Sequence, residues 1–249
     1  MARKSKVVFD AWDTYVSETE EGPIFISFDD EAARNDLTHT LQHCACIVIN
    51  IKKPNANGGP VQPEANHLWE MEDALCEELS TNGVSCRLVG RLTYRGKRTI
   101  VFQLDDRAGF RPIADRWRKE NADYQIKIVE EKGWDYFDEN IRPTKEDWLF
   151  IADNSVVSKL VEVGSDPTKP HSLEFVFLGD GRGLKAVASE LRERGYAPLG
   201  KLDFAGGQIV MVKSMPLNVK AIFGESKQHA RLAKSHGVQY DGWGTAVVK

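Results

Sequence analysis

The sequence predicts an α+β protein made of two sandwiches, each with an antiparallel sheet on one side and helices on the other. Its 249 residues are enough for one or two domains with cores of their own. The same order of strands and helices occurs twice along the chain. The two halves also differ in net charge. From Trp148 onward there are thirteen Lys and Arg and ten Asp and Glu, a net charge of +3, so the first half carries −7.

The first half shows six segments with the periodicity or composition of strands and helices. They are strand 44–51, helix 68–79, strand 84–94, strand 98–104, helix 110–117 and strand 124–129. The first helix is expected to end at Asn82-Gly83, and the two central strands to form a hairpin at Arg95-Gly96. Residues 7–28 predict a further hairpin that extends this sheet.

The second half repeats that order after one additional helix. Its segments are helix 153–163, strand 171–178, helix 184–191, strand 196–204, strand 208–213, a long helix from Pro216 to Ala233 and strand 244–248. The order strand–helix–strand–strand–helix–strand is that of the ferredoxin-like arrangement. We therefore predict two ferredoxin-like sandwiches with antiparallel sheets, packed against each other, over residues 1–140 and 148–249.

The segment between the two halves, 133–148, carries four aromatic residues: Trp134, Tyr136, Phe137 and Trp148. A flexible linker would not be expected to carry so many large apolar side chains. We expect this segment to pack into an interface between the domains and to fix their relative position.

Composition excludes several classes of protein. The sequence has no run of about 18 apolar residues, so no membrane span is expected, and the apolar stretch Val7–Phe9 is shorter than the core of a signal peptide. We expect a cytoplasmic protein whose Cys44, Cys46, Cys76 and Cys86 are reduced. A net charge of +3 without a clustered basic stripe argues against direct binding of nucleic acid.

Two clusters of residues could carry chemistry, and each also has a structural interpretation. His39, His43, Cys44 and Cys46 include zinc-ligand types, but both cysteines lie in an apolar strand, which favours buried free thiols. Residues 179–183, Gly-Asp-Gly-Arg-Gly, could border a nucleotide, but they lack the GxGxxG register, which favours a strand-to-helix turn with Asp180 as the helix cap. No hydrolase or metalloprotease motif is present. We expect no catalytic residues, metal or cofactor.

Two short motifs near the ends of predicted elements are more specific. Gly164-Ser-Asp-Pro167 predicts a helix stop followed by a turn in which Asp166 caps the backbone. In Tyr240-Asp-Gly-Trp-Gly-Thr245, the Asp241-Gly242 pair predicts a turn that brings Trp243 onto the helix layer. The alternative is that Tyr240 or Trp243 lies at the surface and enters a pocket of a partner.

These motifs carry a family resemblance. Residues 158–167, Leu173-Glu174-Phe175, Arg194-Gly195-Tyr196 and residues 240–245 resemble the regulator of ribonuclease E activity B family. The first half is similar to domain-of-unknown-function family 695, on the segments 12–15, 68–73, 89–94 and 134–136. The second family brings no activity with it.

The first resemblance implies a ferredoxin-like domain that inhibits endoribonuclease E by protein contact. The resemblance implies an RNA-processing endoribonuclease as the partner, and the absence of catalytic motifs favours a non-enzymatic regulator or adaptor. The candidate binding residues are Tyr240, Asp241, Trp243, Asp166 and Glu174. The chain differs from the family in being +3 in this half and in lacking a long acidic tail after Thr245. The alternative function is a small-molecule-binding protein or an enzyme of unknown reaction that uses a cleft between the domains.

Overall fold

The computed structural model describes residues 12–35, 37 and 40–249. Within them the protein is a mixed α/β structure with ten strands and seven helices, and every strand pair in its two sheets is antiparallel. The chain divides into two compact units, Met1–Pro143 and Thr144–Lys249. No helix in the described ranges combines the length and the apolar character that crossing a membrane requires.

The first unit contains a six-stranded sheet in the order β1-β2-β4-β5-β3-β6. Its elements are β1 (Trp12–Thr19), β2 (Gly22–Asp29), α1 (Asp30–Arg34), β3 (His43–Asn50), α2 (Glu64–Thr81), β4 (Cys86–Tyr94), β5 (Lys97–Leu104), α3 (Arg107–Glu120), β6 (Ile126–Lys132) and α4 (Asp135–Asn140). The predicted extension of the sheet is confirmed, since β2 pairs with β4. Residues 7–11 of the predicted hairpin lie outside the described residues.

The core of this unit follows from the alternation of side chains along each strand. On β3 and β5, Ile47, Ile49, Ile100 and Phe102 face α2 and α3, and all are buried. The predicted hairpin turn is confirmed: Arg95 and Gly96 both have positive φ, +49° and +74°, as a type I′ turn requires.

The aromatic segment 133–148, which the sequence predicts to pack between the domains, is divided between the units. Trp134 donates its indole N–H to the carbonyl of Leu41 at 2.8 Å, and Phe137 is fully buried. Tyr15 donates its hydroxyl to the carbonyl of Ile141 at 3.1 Å. Residues up to Pro143 therefore belong to the first unit, while Trp148 lies in the first helix of the second.

The second unit has a four-stranded sheet in the order β10-β7-β9-β8. Its elements are α5 (Lys145–Glu162), β7 (His171–Leu178), α6 (Gly181–Glu193), β8 (Ala197–Pro198), β9 (Gln208–Met215), α7 (Val219–Ser235) and β10 (Gln239–Gly244). The buried residues of β7 and β9 share one core with α5, α6 and α7.

Three predicted boundaries in this unit are wrong. Helix α5 begins at Lys145 rather than Asp153, because Thr144 and Asp147 form a capping box. The strand expected over 196–204 shortens to Ala197–Pro198, since the chain turns after Leu199 and the Asp203 carboxylate accepts the N–H of Ala205 at 3.0 Å. The last strand ends at Gly244, where it was expected to begin.

Gly90 in β4 lies directly against Ile141, the residue that follows α4. A Cβ atom at Gly90 would lie 2.5 Å from Cγ2 of Ile141. Gly90→Ala is therefore expected to lower the free energy of unfolding of the first unit by about 1–3 kcal/mol. Chemical denaturation measures this. Gly109→Ala in α3 is the control, because its Cβ would meet Val84 at an ordinary 3.7 Å. Equal stability of the two variants would contradict the contact.

Candidate functional site

A β-bulge in β10 decides where the aromatic residues of the Tyr240–Thr245 motif point. Tyr240 pairs with Phe177 and Gly242 pairs with Val176, so Asp241 is an extra residue that has no pairing partner on β7. In a regular strand Tyr240 and Trp243 would point to opposite faces. The additional residue brings both onto the side that carries the helices, and Gly242 adopts φ +104°. The structure thus places Trp243 on the helix layer, as predicted, through a bulge within the strand.

Asp153 of α5 connects this strand to the helices. Trp243 donates its indole N–H to Oδ1 of Asp153 at 2.7 Å, and Ser226 of α7 donates its hydroxyl to the same atom at 3.1 Å. The Asp153 side chain is buried, and its Oδ2 has no hydrogen-bond partner among the described residues. Burial raises the pKa of Asp153, although the two donors oppose that shift. One carboxylate therefore holds α5, α7 and β10 together.

His229 of α7 lies in a cage of aromatic rings. Its ring centroid is 4.5 Å from that of Phe175 and 5.2 Å from that of Tyr196. Nε2 lies 3.0 Å from the Tyr196 hydroxyl, which itself donates to Glu225. The hydroxyl must then accept from His229, so we assign the tautomer with the proton on Nε2. Burial lowers the pKa of His229 to about 4, so the imidazole is neutral at pH 7.

Asp166 has a role in the backbone turn after α5. Its Oδ1 accepts the N–H of Thr168 at 2.9 Å and the Thr168 hydroxyl at 2.7 Å. These hydrogen bonds from Thr168 lower the pKa of Asp166. Its own N–H donates to the carbonyl of Val248 at 2.8 Å. The predicted Asx-type turn is present, and it ties the turn to the segment that follows β10.

Glu174 and Asp241 have different surroundings from the other candidate residues. Asp241 is exposed at the bulge. Glu174 lies on β7 between the buried Leu173 and Phe175, so its side chain is on the sheet face away from the helices. We call this the outer face. Pairing across β7, β8 and β9 places six residues on it: Glu174, Val176, Ala197, Leu199, Val210 and Val212.

The structure therefore separates the five predicted binding residues. Tyr240 and Trp243 belong to the interior layer and Asp166 to a turn, whereas Glu174 is half-buried on the outer face and Asp241 is exposed. Sequence reasoning missed the valines of the outer face. The signal that could have found them is that β7 and β9 carry apolar residues at both even and odd positions, which a half-exposed strand does not need.

The two other predicted clusters also have defined positions. Asp180 accepts the N–H groups of Arg182 and Gly183, each at 2.9 Å, which confirms the strand-to-helix turn with Asp180 as the cap of α6. Cys44 and Cys46 are buried on one face of β3, their sulfurs 3.9 Å apart. His39 lies outside the described residues. Within the described ranges no three His, Cys, Asp or Glu side chains form a group that could hold a metal ion.

Comparisons with known proteins confirm both resemblances. A family model described as a family of unknown function, DUF695, matches residues 10–140, and a model described as regulator of ribonuclease activity B matches residues 150–245. The regulator of ribonuclease activity B from Pseudoalteromonas atlantica is 33% identical over 108 residues, covering 40% of this chain and 92% of that protein. Its counterpart from Xenorhabdus nematophila is 34% identical over 103 residues, covering 39% and 73%.

A solved structure of an unknown protein from Galdieria sulphuraria covers 83% of this chain and 99% of its own. Its sequence identity is 14% and its TM-score is 0.21, so it carries no argument about fold or function.

Trp243 is expected to stabilise the second unit. Trp243→Ala removes a half-buried ring and one of two donors to Asp153, and should lower the free energy of unfolding by about 2–4 kcal/mol. Thermal and denaturant unfolding measure the loss. Asp241→Ala, at the exposed bulge, should stay within about 0.5 kcal/mol of the parent protein. A Trp243→Ala variant as stable as Asp241→Ala would place Trp243 at the surface.

His229 makes the stability of the second unit dependent on pH. Below pH 6.5 the unfolded chain binds a proton at His229, while the folded form, with a pKa of about 4, does not. Unfolding free energy should therefore fall by about 3 kcal/mol between pH 6.5 and 4 from this group alone. His229→Phe keeps a ring in the cage and should remove that part of the fall. A constant stability difference between the two proteins across this range would contradict the assignment.

Proposed function

Because this chain belongs to the family of unknown function DUF695 through residues 10–140 and to the regulator of ribonuclease activity B family through residues 150–245, we propose that it is a regulatory protein that acts by binding another protein. We further propose that the partner is an RNA-processing endoribonuclease and that the complex forms in the cytoplasm. The relatives from Pseudoalteromonas atlantica and Xenorhabdus nematophila are regulators of ribonuclease activity by name, which supports this partner class.

The observation that carries the contact mechanism is the outer face of the second sheet. One row across it runs Gly242, Val176, Val210 and Leu199, and the next runs Gly244, Glu174, Val212 and Ala197. The glycines carry no side chain at these positions of β10, and Leu199 is 52% exposed. An apolar centre with polar groups beside it is the composition of a protein interface core and rim.

A catalytic role for Asp153 and His229 is disfavoured by their burial. They are 3% and 1% exposed, so neither reaches a substrate in this conformation. Both are used to join helices to the sheet. The two candidate residues outside the interior layer, the half-buried Glu174 and the exposed Asp241, suit recognition of a partner.

We also propose that both units are ferredoxin-like. Each contains the series strand–helix–strand–strand–helix–strand, which is β3-α2-β4-β5-α3-β6 in the first unit and β7-α6-β8-β9-α7-β10 in the second. Numbered within this series, the strands lie in the sheet in the order 4-1-3-2 in both units.

The test is RNA cleavage by the ribonuclease E-type enzyme of the same host, measured with and without the full chain. The parent protein should slow cleavage. Val210→Asp puts a charge in the centre of the outer face and should weaken inhibition and binding by at least roughly tenfold. Val163→Asp is the matched control, since Val163 is 54% exposed at the end of α5. It should behave as the parent protein does.

Two results would contradict the proposal. Absence of any complex between the parent protein and the ribonuclease would remove the partner class. Equal inhibition by folded Val210→Asp and Val163→Asp would remove the outer face as the contact surface. Circular dichroism melts of both variants establish that they are folded.

A further inference from the structure

The hairpin β1–β2 extends the first sheet beyond β4. One face of the hairpin continues the sheet face that carries α2 and α3. Directly paired residues share a face, and the pairs Arg98–Thr93, Thr93–Phe25 and Phe25–Val16 form one row across four strands. The row lies on the helix side, because Arg98 alternates in phase with the core residue Ile100. Phe25 and Val16 are exposed, so the row runs from a buried arginine to an open apolar shelf.

Arg98 is a buried cation without a counter-ion of its own. It is 6% exposed, and its Nε and Nη1 are buried with no hydrogen-bond partner among the described residues. Its guanidinium carbon lies 4.1 Å from the ring centroid of Trp69 in α2, and that ring is 39% exposed. Burial lowers the pKa of Arg98, which expresses the cost of holding this charge away from water.

The one buried carboxylate beside Arg98 is engaged elsewhere. Glu72 of α2 accepts two hydrogen bonds from Nε of Arg91, at 2.6 and 2.8 Å, and forms an ion pair with its Nη2. The Arg91 guanidinium lies 4.1 Å from the ring centroid of Trp12 and 4.7 Å from that of Trp69. We call Trp12, Trp69, Glu72, Arg91 and Arg98 the arginine corner. Two cations and one anion give it a net charge of +1.

We propose that the arginine corner binds a small monocarboxylate with an apolar body, whose carboxylate meets Arg98 and whose body lies on the shelf of Phe25 and Val16. A guanidinium with free N–H donors matches a carboxylate in shape and charge. A monoanion balances the excess charge of +1, whereas a phosphate near −2 would leave an excess of the opposite sign. The inference concerns the first unit and does not rest on the proposed ribonuclease contact.

The shelf also sets the size of the ligand. Adjacent strands are spaced by about 4.8 Å, so the row from β5 to β1 spans roughly 14 Å. An aliphatic or aromatic acid of medium length fits that distance. Trp69 covers the buried donors of Arg98 and is itself partly exposed, so on this proposal the ring moves aside to admit the carboxylate, and its fluorescence should change on binding.

The experiment titrates the full chain with octanoate, with octanamide as the uncharged analogue and with inorganic phosphate. Calorimetry and tryptophan fluorescence follow binding. We expect saturable binding of octanoate, binding of octanamide weaker by at least about thirtyfold, and none of phosphate at equal concentration. Arg98→Met should weaken octanoate binding by a similar factor. Arg95→Met removes an exposed arginine paired with Glu21 and should bind octanoate as the parent protein does.

Several outcomes would overturn the proposal. They are no octanoate binding at millimolar concentration, equal binding of octanoate and octanamide, tighter binding of phosphate than octanoate, or equal affinities of Arg98→Met and Arg95→Met. The first three use only the parent protein, so they decide the matter even if Arg98→Met fails to fold. Loss of ribonuclease binding by an outer-face variant would leave octanoate binding unchanged, which separates the two proposals.

Discussion

The architecture of the second unit depends on the hydrogen bonds that Asp153 accepts. A buried carboxylate is costly unless it is bonded, and this one is bonded to a side chain of α7 and to a side chain of β10. The position of each element is thereby fixed by the same oxygen atom. Tyr240 adds a second tie, since its hydroxyl lies 3.1 Å from that of Ser226. Displacing α7 or β10 would leave the buried carboxyl group of Asp153 without one of its two donors.

Both units place charged or polar groups under aromatic rings, with different electrostatic consequences. In the second unit His229 is neutral at pH 7, so the aromatic cage holds no net charge at that residue. In the first unit Arg91 and Arg98 stay charged, and tryptophan faces supply part of the stabilisation that water would give. Glu72 neutralises one of the two cations. The aromatic cage of His229 therefore needs no counter-ion, whereas the arginine corner keeps one positive charge without a carboxylate partner among the described residues.

The sequence predicted the elements with strong local signals and missed the features that depend on distant residues. The Arg95-Gly96 hairpin and the cap at Asp180 follow from a few adjacent residues, and both are as expected. The bulge at Asp241 becomes visible only when β10 is aligned with β7, about 65 positions earlier in the chain. Asp153 appears in the sequence as an ordinary polar residue of a helix. Arg98 follows a hairpin turn, where a solvated charge is the usual expectation, and its burial is caused by Trp69 of α2.

The bulge in β10 has a consequence for how copies of the protein meet one another. Among the described strands β10 lies at one edge of its sheet. The unpaired N–H and C=O groups of an edge strand can pair with a strand of another molecule. Because the bulge interrupts the two-residue repeat halfway along the strand, a neighbour cannot match more than a few consecutive groups. Asp241 adds a charge at the point of interruption. Asp241, the extra residue that turns Trp243 inward, therefore also disfavours edge-to-edge pairing of copies of the protein into extended fibres.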